Sequence, residues 1–432
     1  VYKTTDSGKT WTKISETLPK GGPLTYARVV AENPNKKGNL FVGTGNAFYY
    51  SLDEGANWKQ FKTGLPAAPV SWIVVQKQAH DLVLSTYGRG MFIMEDITPL
   101  EQGIMELESD TPAPAAKLVA PRPAYRQVRG QARALLSYWL KSTPKGPVEF
   151  EILDAKNQVV KKLPNLTGKP GLNRTSWDLR YDPPTLVALR TTPPENPHIW
   201  EEPRFEGQQV RTITHWGLAQ AEVGPFAAPG QYTVRMTVDG ETFTQPLPIL
   251  RTPDSHADDA ALQSSVRLQL KVREDITAVS NMTNQLEWMR KQLEDEAKSN
   301  SGKQNLINMI ANINKKLEQV EYQLITRADA LSDDKYFQTA YNLYQNFLWL
   351  NGEIGTGAGD VQGSGDWGAT ETAIGLVLDL EKTLEKVRGE YKAVMEKDVP
   401  EYNKSIQGTG LKPLPTTGAP PPPPRPANRF GG

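Results

Sequence analysis

An eight-residue pattern occurs twice near the N-terminus, and its spacing limits the folds open to this chain. Thr4-Thr5-Asp6-Ser7-Gly8-Lys9-Thr10-Trp11 returns as Ser51-Leu52-Asp53-Glu54-Gly55-Ala56-Asn57-Trp58, so a hydroxyl residue, an Asp, a Gly and a Trp all keep an offset of 47 residues. Leu18-Pro19 and Leu65-Pro66 hold the same offset. Between the copies lie β-rich runs, Ala27-Arg28-Val29-Val30 and Asn39-Leu40-Phe41-Val42, matched by Trp72-Ile73-Val74-Val75 and Asp81-Leu82-Val83-Leu84. A repeat of this length with four short strands is the length of a propeller blade. The pattern also suits a tight hairpin. Its Asp accepts backbone N–H groups, its Gly supplies positive φ, and its Trp covers the turn.

The S/T-x-D-x-G-x-x-W pattern resembles the Asp-box, or bacterial neuraminidase (BNR) repeat, of sialidase-like and sortilin-type β-propellers. The stretch from Leu84 to Asp96, with Tyr87-Gly88-Arg89-Gly90 inside it, is similar to the end of the last blade in large secreted bacterial proteins of that group. The resemblance implies that residues 1–98 are the final two blades of an incomplete propeller. It implies that Thr4, Asp6, Gly8, Trp11, Ser51, Asp53, Gly55 and Trp58 build hairpins and do not cut sugars. A sialidase-like site uses an arginine cluster on a carboxylate, a Tyr nucleophile with a Glu partner, and an acid/base Asp. Arg28, Tyr87, Arg89 and Glu95 are residues of the right types for such a funnel. The rest of the catalytic set would lie in upstream blades. The sequence enters strand-like VYKTT directly at Val1, with no initiator Met, basic n-region or apolar h-region, and reads as a piece of a longer polypeptide. Any export signal would then lie upstream, with the mature protein extracellular or periplasmic.

Beyond the repeats the residues from 99 to 130 are rich in Pro, Ala and Glu and read as a linker. Residues 131–252 then carry strand signals. Val148-Glu149-Phe150-Glu151-Ile152-Leu153 alternates apolar and charged residues as a half-buried strand does, and Asp154-Ala155-Lys156-Asn157 reads as a hairpin. Gly171 to Leu179, containing Trp177-Asp178, and Ala228 to Val238, opening with Pro229-Gly230, resemble strands of bacterial Ig-like domains of the flagellar hook-capping type. That resemblance implies a β-sandwich with Trp177 in its core. Between these halves lies an insertion, 181–222, with six prolines and the aromatics Trp200, Phe205 and Trp216. It reads as a brace against the propeller, or else as a binding loop.

After Pro253 the pattern changes to heptad-like steps, and residues 257–406 read as an antiparallel helical bundle. Leu306, Ile310, Ile313, Leu317, Val320 and Leu324 follow in steps of four and three, as do Val377, Leu380, Leu384, Val387, Tyr391 and Val394. A shorter aromatic helix is expected from Tyr336 to Leu350. The Gly-rich loop at Gly355-Thr356-Gly357-Ala358-Gly359-Asp360 joins two helices and so lacks the strand that a phosphate cradle needs. Residues 407–432 read as a disordered Pro-rich tail. It contains Leu414-Pro415-Thr416-Thr417-Gly418, a match to the sortase signal, but no apolar span follows it. Four N-x-S/T sequons, at Asn165, Asn173, Asn281 and Asn403, matter only in a eukaryotic secretory setting.

Composition narrows the function. Lys+Arg and Asp+Glu both number 49, so no cationic surface speaks for nucleic acid or for an anionic membrane. With no Cys, thiolate metal sites, disulfides and cysteine nucleophiles are excluded. Four scattered His, His198 and His215 among them, make no metal centre, and no cofactor is expected. The sequence reads as a multidomain binding or structural protein whose propeller presents a ligand face to peptide or glycan. Its partners would be the upstream blades, that ligand, and an assembly joined through the helices or the Pro-rich tail, with no membrane span. A sialidase-type glycoside hydrolase is the alternative.

Overall fold

The computed structural model describes residues 1–107, 114–126, 132–166, 168–194, 196–203, 205–212, 222–326, 340–355, 367–416, 418 and 420. The chain is mixed β and α, with several antiparallel sheets and a C-terminal helical region. It divides into two compact units. One comprises Val1–Arg126, Gln131–Leu179 and Gly230–Leu250, and the other Gln127–Gly130, Arg180–Pro229 and Arg251–Gly432.

The first unit opens with a two-stranded sheet, β1 (Tyr2–Lys3) and β2 (Thr12–Lys13). A four-stranded sheet follows in sequence order, β3 (Ala27–Glu32), β4 (Leu40–Thr44), β5 (Phe48–Ser51) and β6 (Lys59–Phe61). Next comes a three-stranded sheet, β7 (Val70–Gln76), β8 (Asp81–Thr86) and β9 (Gly90–Met94). The first strand of each larger sheet carries a bulge at the same place, between Ala27 and Val29 and between Val70 and Trp72. The two sheets share one apolar core. Phe41, Phe48 and Tyr50 meet Val70, Ile73, Leu82 and Leu84, and Leu100 from the short helix α1 (Thr98–Glu101) closes it. Each large side chain sealed there contributes about 1.5–3 kcal/mol relative to exposure. The opposite face of the four-stranded sheet, Val42, Tyr49 and Trp58, packs against Leu18.

Residues read from sequence as a linker contribute structure to this unit. Besides α1, they supply a 3-10 turn at Ile104–Glu106 and the strands β10 (Ala116–Leu118) and β11 (Ala124–Arg126). Runs of three residues between prolines are too short to stand out as periodic. Thr111 to Ala113 lie outside the described residues. The further strands are β12 (Ala134–Leu140), β13 (Val148–Leu153), β14 (Val159–Leu166), β15 (Gly171–Trp177), β16 (Ala188–Leu189), β17 (Arg211–Thr212), β18 (Gly230–Val238) and β19 (Glu241–Arg251). Sheet order is β10-β12-β15 in one layer and β11-β19-β18-β13-β14 in another. Rings join the layers: Tyr138 lies 5.2 Å from Phe150 and Trp177 6.0 Å from Tyr232. Trp177 is fully buried. The β18–β19 hairpin turns on Asp239 and Gly240, both at positive φ, as a two-residue turn matched to strand twist requires.

The second unit is built on α2 (Asp259–Ser299), 41 residues long and capped by Asp258, whose carboxylate accepts the Ala261 N–H at 2.7 Å. Its apolar stripe, from Val272 through Ile276, Leu286 and Leu293, packs with the seam of α3 (Gln304–Leu324) and with α4 (Leu343–Ile354) and α5 (Glu371–Ala393). A π-helical turn at Val394–Asp398 leads into α6 (Val399–Ser405). The aromatic helix expected from Tyr336 thus spans Leu343–Ile354. Residues 336–339, and 356–366 of the Gly-rich loop, lie outside the described residues.

The Pro-rich insertion, read from sequence as a brace against the propeller or else a binding loop, falls in this second unit. The reason is local. Its backbone has little ladder of its own beyond the β16–β17 pair, so α2 side chains receive its N–H groups. Asn284 accepts from Ala188 at 2.7 Å, Glu287 from Arg190 and Thr191, and Glu294 from Thr192 at 3.0 Å. Residues 407–416, expected to be a solvated tail, are ordered as well. Asn403 and Leu414 exchange hydrogen bonds at 3.0 and 2.7 Å, and Leu411 and Leu414 are buried. Thr417 and residues 421–432 lie outside the described residues.

Gly43 tests the sheet-to-sheet contact. A Cβ there would stand 2.7 Å from Val70 Cβ and 2.9 Å from Val29 Cγ1. We expect Gly43→Ala to cost about 1–3 kcal/mol, as overpacking does. Gly146→Ala, with nothing within 4 Å, serves as the neutral control. Denaturant midpoints of the two variants read the difference.

Candidate functional site

The two repeated hairpins have one hydrogen-bond design. In the first, Asp6 Oδ1 accepts the Thr10 N–H at 2.8 Å and the Thr4 hydroxyl at 2.9 Å, and Thr4 Oγ1 accepts the Gly8 N–H at 2.9 Å. In the second, Asp53 Oδ1 accepts the Asn57 N–H at 2.9 Å and the Ser51 hydroxyl at 2.7 Å, and Ser51 Oγ accepts the Gly55 N–H at 2.9 Å. The outer oxygens match too: Asp6 Oδ2 takes the Thr10 hydroxyl and Asp53 Oδ2 the Asn57 amide, each at 2.7 Å. Gly8 and Gly55 sit at φ +87° and +89°. Gly55 has a second reason to be glycine, since a Cβ would meet the Ile14 side chain at 2.9 Å. The Thr10 N–H and hydroxyl hold the Asp6 carboxyl below its ordinary range. At Asp53 burial pulls upward, but the Asn57 and Ser51 donors outweigh it and the net direction is down. The tryptophans differ. Trp58 is buried and donates to the Ile14 carbonyl, whereas Trp11 is 61% exposed.

Of the four candidate funnel residues the structure brings three to one end of the paired sheets. Gly43, opposite Val29, packs directly on Val70, so β3 and β7 begin side by side. Thr86 pairs with Val70, and the Tyr87 N–H donates to the Pro69 carbonyl at 2.9 Å. Arg28 therefore shares this end with Tyr87 and Arg89, and Tyr26 joins them as a residue the sequence reading passed over. Arg28 donates to the Tyr26 hydroxyl at 3.1 Å, with its guanidinium 5.9 Å from the ring. Tyr26 and Tyr87 are 52% and 78% exposed, and among the described residues neither Arg28 nor Arg89 has an acidic partner. An arginine on an open phenol ring, with a second arginine and a second open phenol at the same end of the sheets, suits a carboxylate on a ring-bearing or planar ligand.

Glu95 is not part of this group. Thr86 pairs with Gly90 at one end of the β8–β9 hairpin and Leu82 with Met94 at the other, so Glu95 lies beyond the far end. At about 3.4 Å per residue, β9 separates it from Tyr87 by more than any hydrogen bond spans. Its carboxylate meets Arg133 at 2.8 Å and Arg122 at 3.7 Å, and Arg133 holds it below the ordinary carboxylate range. Arg174 closes the corner by donating to the Glu95 and Asp96 carbonyls, each at 2.9 Å. Glu95 thus ties the end of the repeat to the strands that follow.

Histidines are engaged elsewhere: His80 with Glu101 at 2.8 Å, His198 with Glu201 at 3.1 Å, and His256 stacked on Trp367. His215 and Trp216 lie outside the described residues. Among the described residues no group of three potential ligands stands ready for a metal. One carboxyl departs strongly upward. Burial lifts Glu222 to about 7, beside the buried Tyr344, whose hydroxyl faces the Val187 N–H at 3.4 Å.

Two titrations follow. Asp53 is depressed in the folded state, so its stabilisation is present above the unfolded value near 4 and fades as pH falls through the folded value. Asp53→Asn should cost about 1–2 kcal/mol at neutral pH and show less further loss on acidification. Glu222 has the opposite sign. Native protein holds its proton longer than unfolded chain does, so stability falls as pH rises from about 4.5 to about 7. Glu222→Gln should lack that fall, read as unfolding midpoints followed by helical circular dichroism across the same range.

No family model matches the chain, and no curated protein matches it. Among solved structures it is similar to the extracellular domain of a putative one-component system from B. thetaiotaomicron, at 11% identity and a TM-score of 0.18, over 57% of this chain and 28% of that one. The extracellular domain of a putative hybrid two-component system from the same organism matches at 13% identity and a TM-score of 0.18, over 58% of this chain and 34% of that one. The chain thus spans about a third of those structures' length.

Proposed function

We propose that this chain is the C-terminal part of a secreted or periplasmic propeller-based binding protein. In this reading the β3–β6 and β7–β9 sheets are Asp-box blades. The layers formed by β10 to β15 with β18 and β19 are an Ig-like sandwich, and the helices form a supporting bundle. The observation that carries the reading is the exposed group Tyr26, Arg28, Tyr87 and Arg89, gathered where β3 and β7 begin. Arginine forks grip carboxylates in bidentate fashion, and a phenol face accepts a sugar ring or a planar side chain. The ligand is therefore a carboxylate-bearing glycan or peptide. Glu95, engaged by Arg133 at the far end, is not placed to serve Tyr87 as a nucleophile's partner, so these residues favour capture over hydrolysis.

The double variant Arg28→Ala, Arg89→Ala should weaken binding to immobilised sialylated glycans or acidic peptides by at least about tenfold, or roughly 1.4 kcal/mol. Unfolding should be unchanged, because both side chains are exposed. Equal binding by the variant would overturn this reading, and turnover of aryl glycosides would replace it with the hydrolase.

A further inference from the structure

The two larger sheets are repeats of one another, and one face is buried in the first but open in the second. Strand by strand, the registers set Val29 beside Gly43 and Phe48, and Ala31 beside Phe41 and Tyr50. In the second sheet Trp72 stands beside Ser85 and Met91, and Val74 beside Val83 and Ile93. The bulge precedes Val29 and Trp72 alike, which fixes the equivalence. Phe41, Phe48 and Tyr50 are 0%, 2% and 6% exposed because the β7–β9 sheet covers them. The counterparts of Phe48 and Tyr50 are open, with Met91 at 73% and Ile93 at 66%, flanked by Trp72 at 64% and Val74 at 46%, while Val83 in the place of Phe41 is half-buried. Four exposed apolar side chains on one side of a sheet form a patch that water does not favour.

The opposite side shows the same deficit. Val30 is 51% exposed, whereas its repeat counterpart Ile73 is 5% exposed, and Trp11 is 61% exposed against 7% for Trp58. In the complete repeat, two strands (β3 and β4) precede the boxed hairpin of β5 and β6. Among the described residues the first boxed hairpin, β1–β2, pairs with no other strand. Among the described residues the last sheet has three strands, so the outer edge of β9 offers backbone groups with no ladder partner.

We infer that the outward face of the β7–β9 sheet, with the edge of β9, is an interface for a sheet of another repeat of this same type, carried by polypeptide N-terminal to Val1. The occupant follows from the repeat itself. Since β3 and β4 precede the β5–β6 hairpin in the complete repeat, a partner sheet of the same design would supply its strands ahead of β1. The face that covers Phe41, Phe48 and Tyr50 already shows what such a sheet presents, namely Val70, Ile73, Leu82 and Leu84. This inference rests on the propeller reading and names its partner surface, while leaving the Arg28 and Arg89 group untouched.

The chain's lack of cysteine makes the test direct. Ile93→Cys and Val30→Cys are made singly, with Lys382→Cys on the exposed side of α5 as reference. Maleimide labelling is timed in this 432-residue chain and in the polypeptide extended to its natural start. Both test thiols should react as fast as the reference here. In the extended protein they should react at least about tenfold more slowly while the reference is unchanged, since a covered site labels only on opening. Equal rates in the two proteins, or a natural N-terminal sequence without a further repeat, would overturn the inference. Protection that grows with the concentration of this chain would also overturn it, by naming a second copy as the occupant. Ligand capture is measured separately, so loss of one result does not entail loss of the other.

Discussion

A backbone N–H removed from water must find an acceptor, and this chain of 34 prolines and 35 glycines meets that demand repeatedly with side-chain oxygens. The carboxylates of Asp6 and Asp53 take up the amides of their own hairpins. Glu287 and Glu294 on α2 take up those of Thr191 and Thr192, which have no strand to pair with. Asn403 does the same for Leu414, and Gln102 for Ala120 at 2.9 Å. Irregular backbone is thereby held as firmly as ladder backbone. Much of what composition marks as turn or linker turns out to be fixed in place.

The interior of the helical unit shows what that strategy entails in charge. Glu287 is only 1% exposed, and it shares its neighbourhood with Arg290, which also reaches Glu321 at 2.5 Å and Glu318 at 3.1 Å. Burial works against the Arg290 charge, but the three carboxylates outweigh it and raise the guanidinium's affinity for its proton. One cation among three acids is tolerable because Thr191 and the insertion backbone supply the remaining donors. Glu294 behaves similarly. Burial pulls it up, yet the Lys298 ammonium and the Thr192 N–H and hydroxyl bring it down to about 2.

Local chemistry was legible in the sequence, and partnership at a distance was not. The spacing of Asp, Gly and Trp marked the two hairpins β1–β2 and β5–β6, and alternation in Val148 to Leu153 gave a strand with Val148, Phe150 and Ile152 buried. The three-and-four steps gave α3 nearly to its ends. The insertion's partners were not legible because its acceptors stand about a hundred residues later, on α2, and a side-chain acceptor leaves no period to read. The candidate site was half legible. Tyr87 and Arg89 stand out beside glycines, but only the register of β7 with β8 and the contact at Gly43 bring Arg28 and Tyr26 to them. Glu95 had the right chemistry at the wrong end of a strand.

The path of the chain between the two units has a consequence for assembly in time. Residues 180–229 leave the first unit after β15 and return to it at β18, so Phe150 opposite Met236 is a pairing that must wait for the whole excursion to be synthesised. The excursion's own acceptors, Asn284, Glu287 and Glu294, emerge later still. Loop closure over such spans slows folding more than it lowers final stability. On a ribosome the β3–β6 and β7–β9 sheets are complete early, while the layers after them wait for β18 and β19. Such a chain passes through an interval in which the strands of its middle lack their partners.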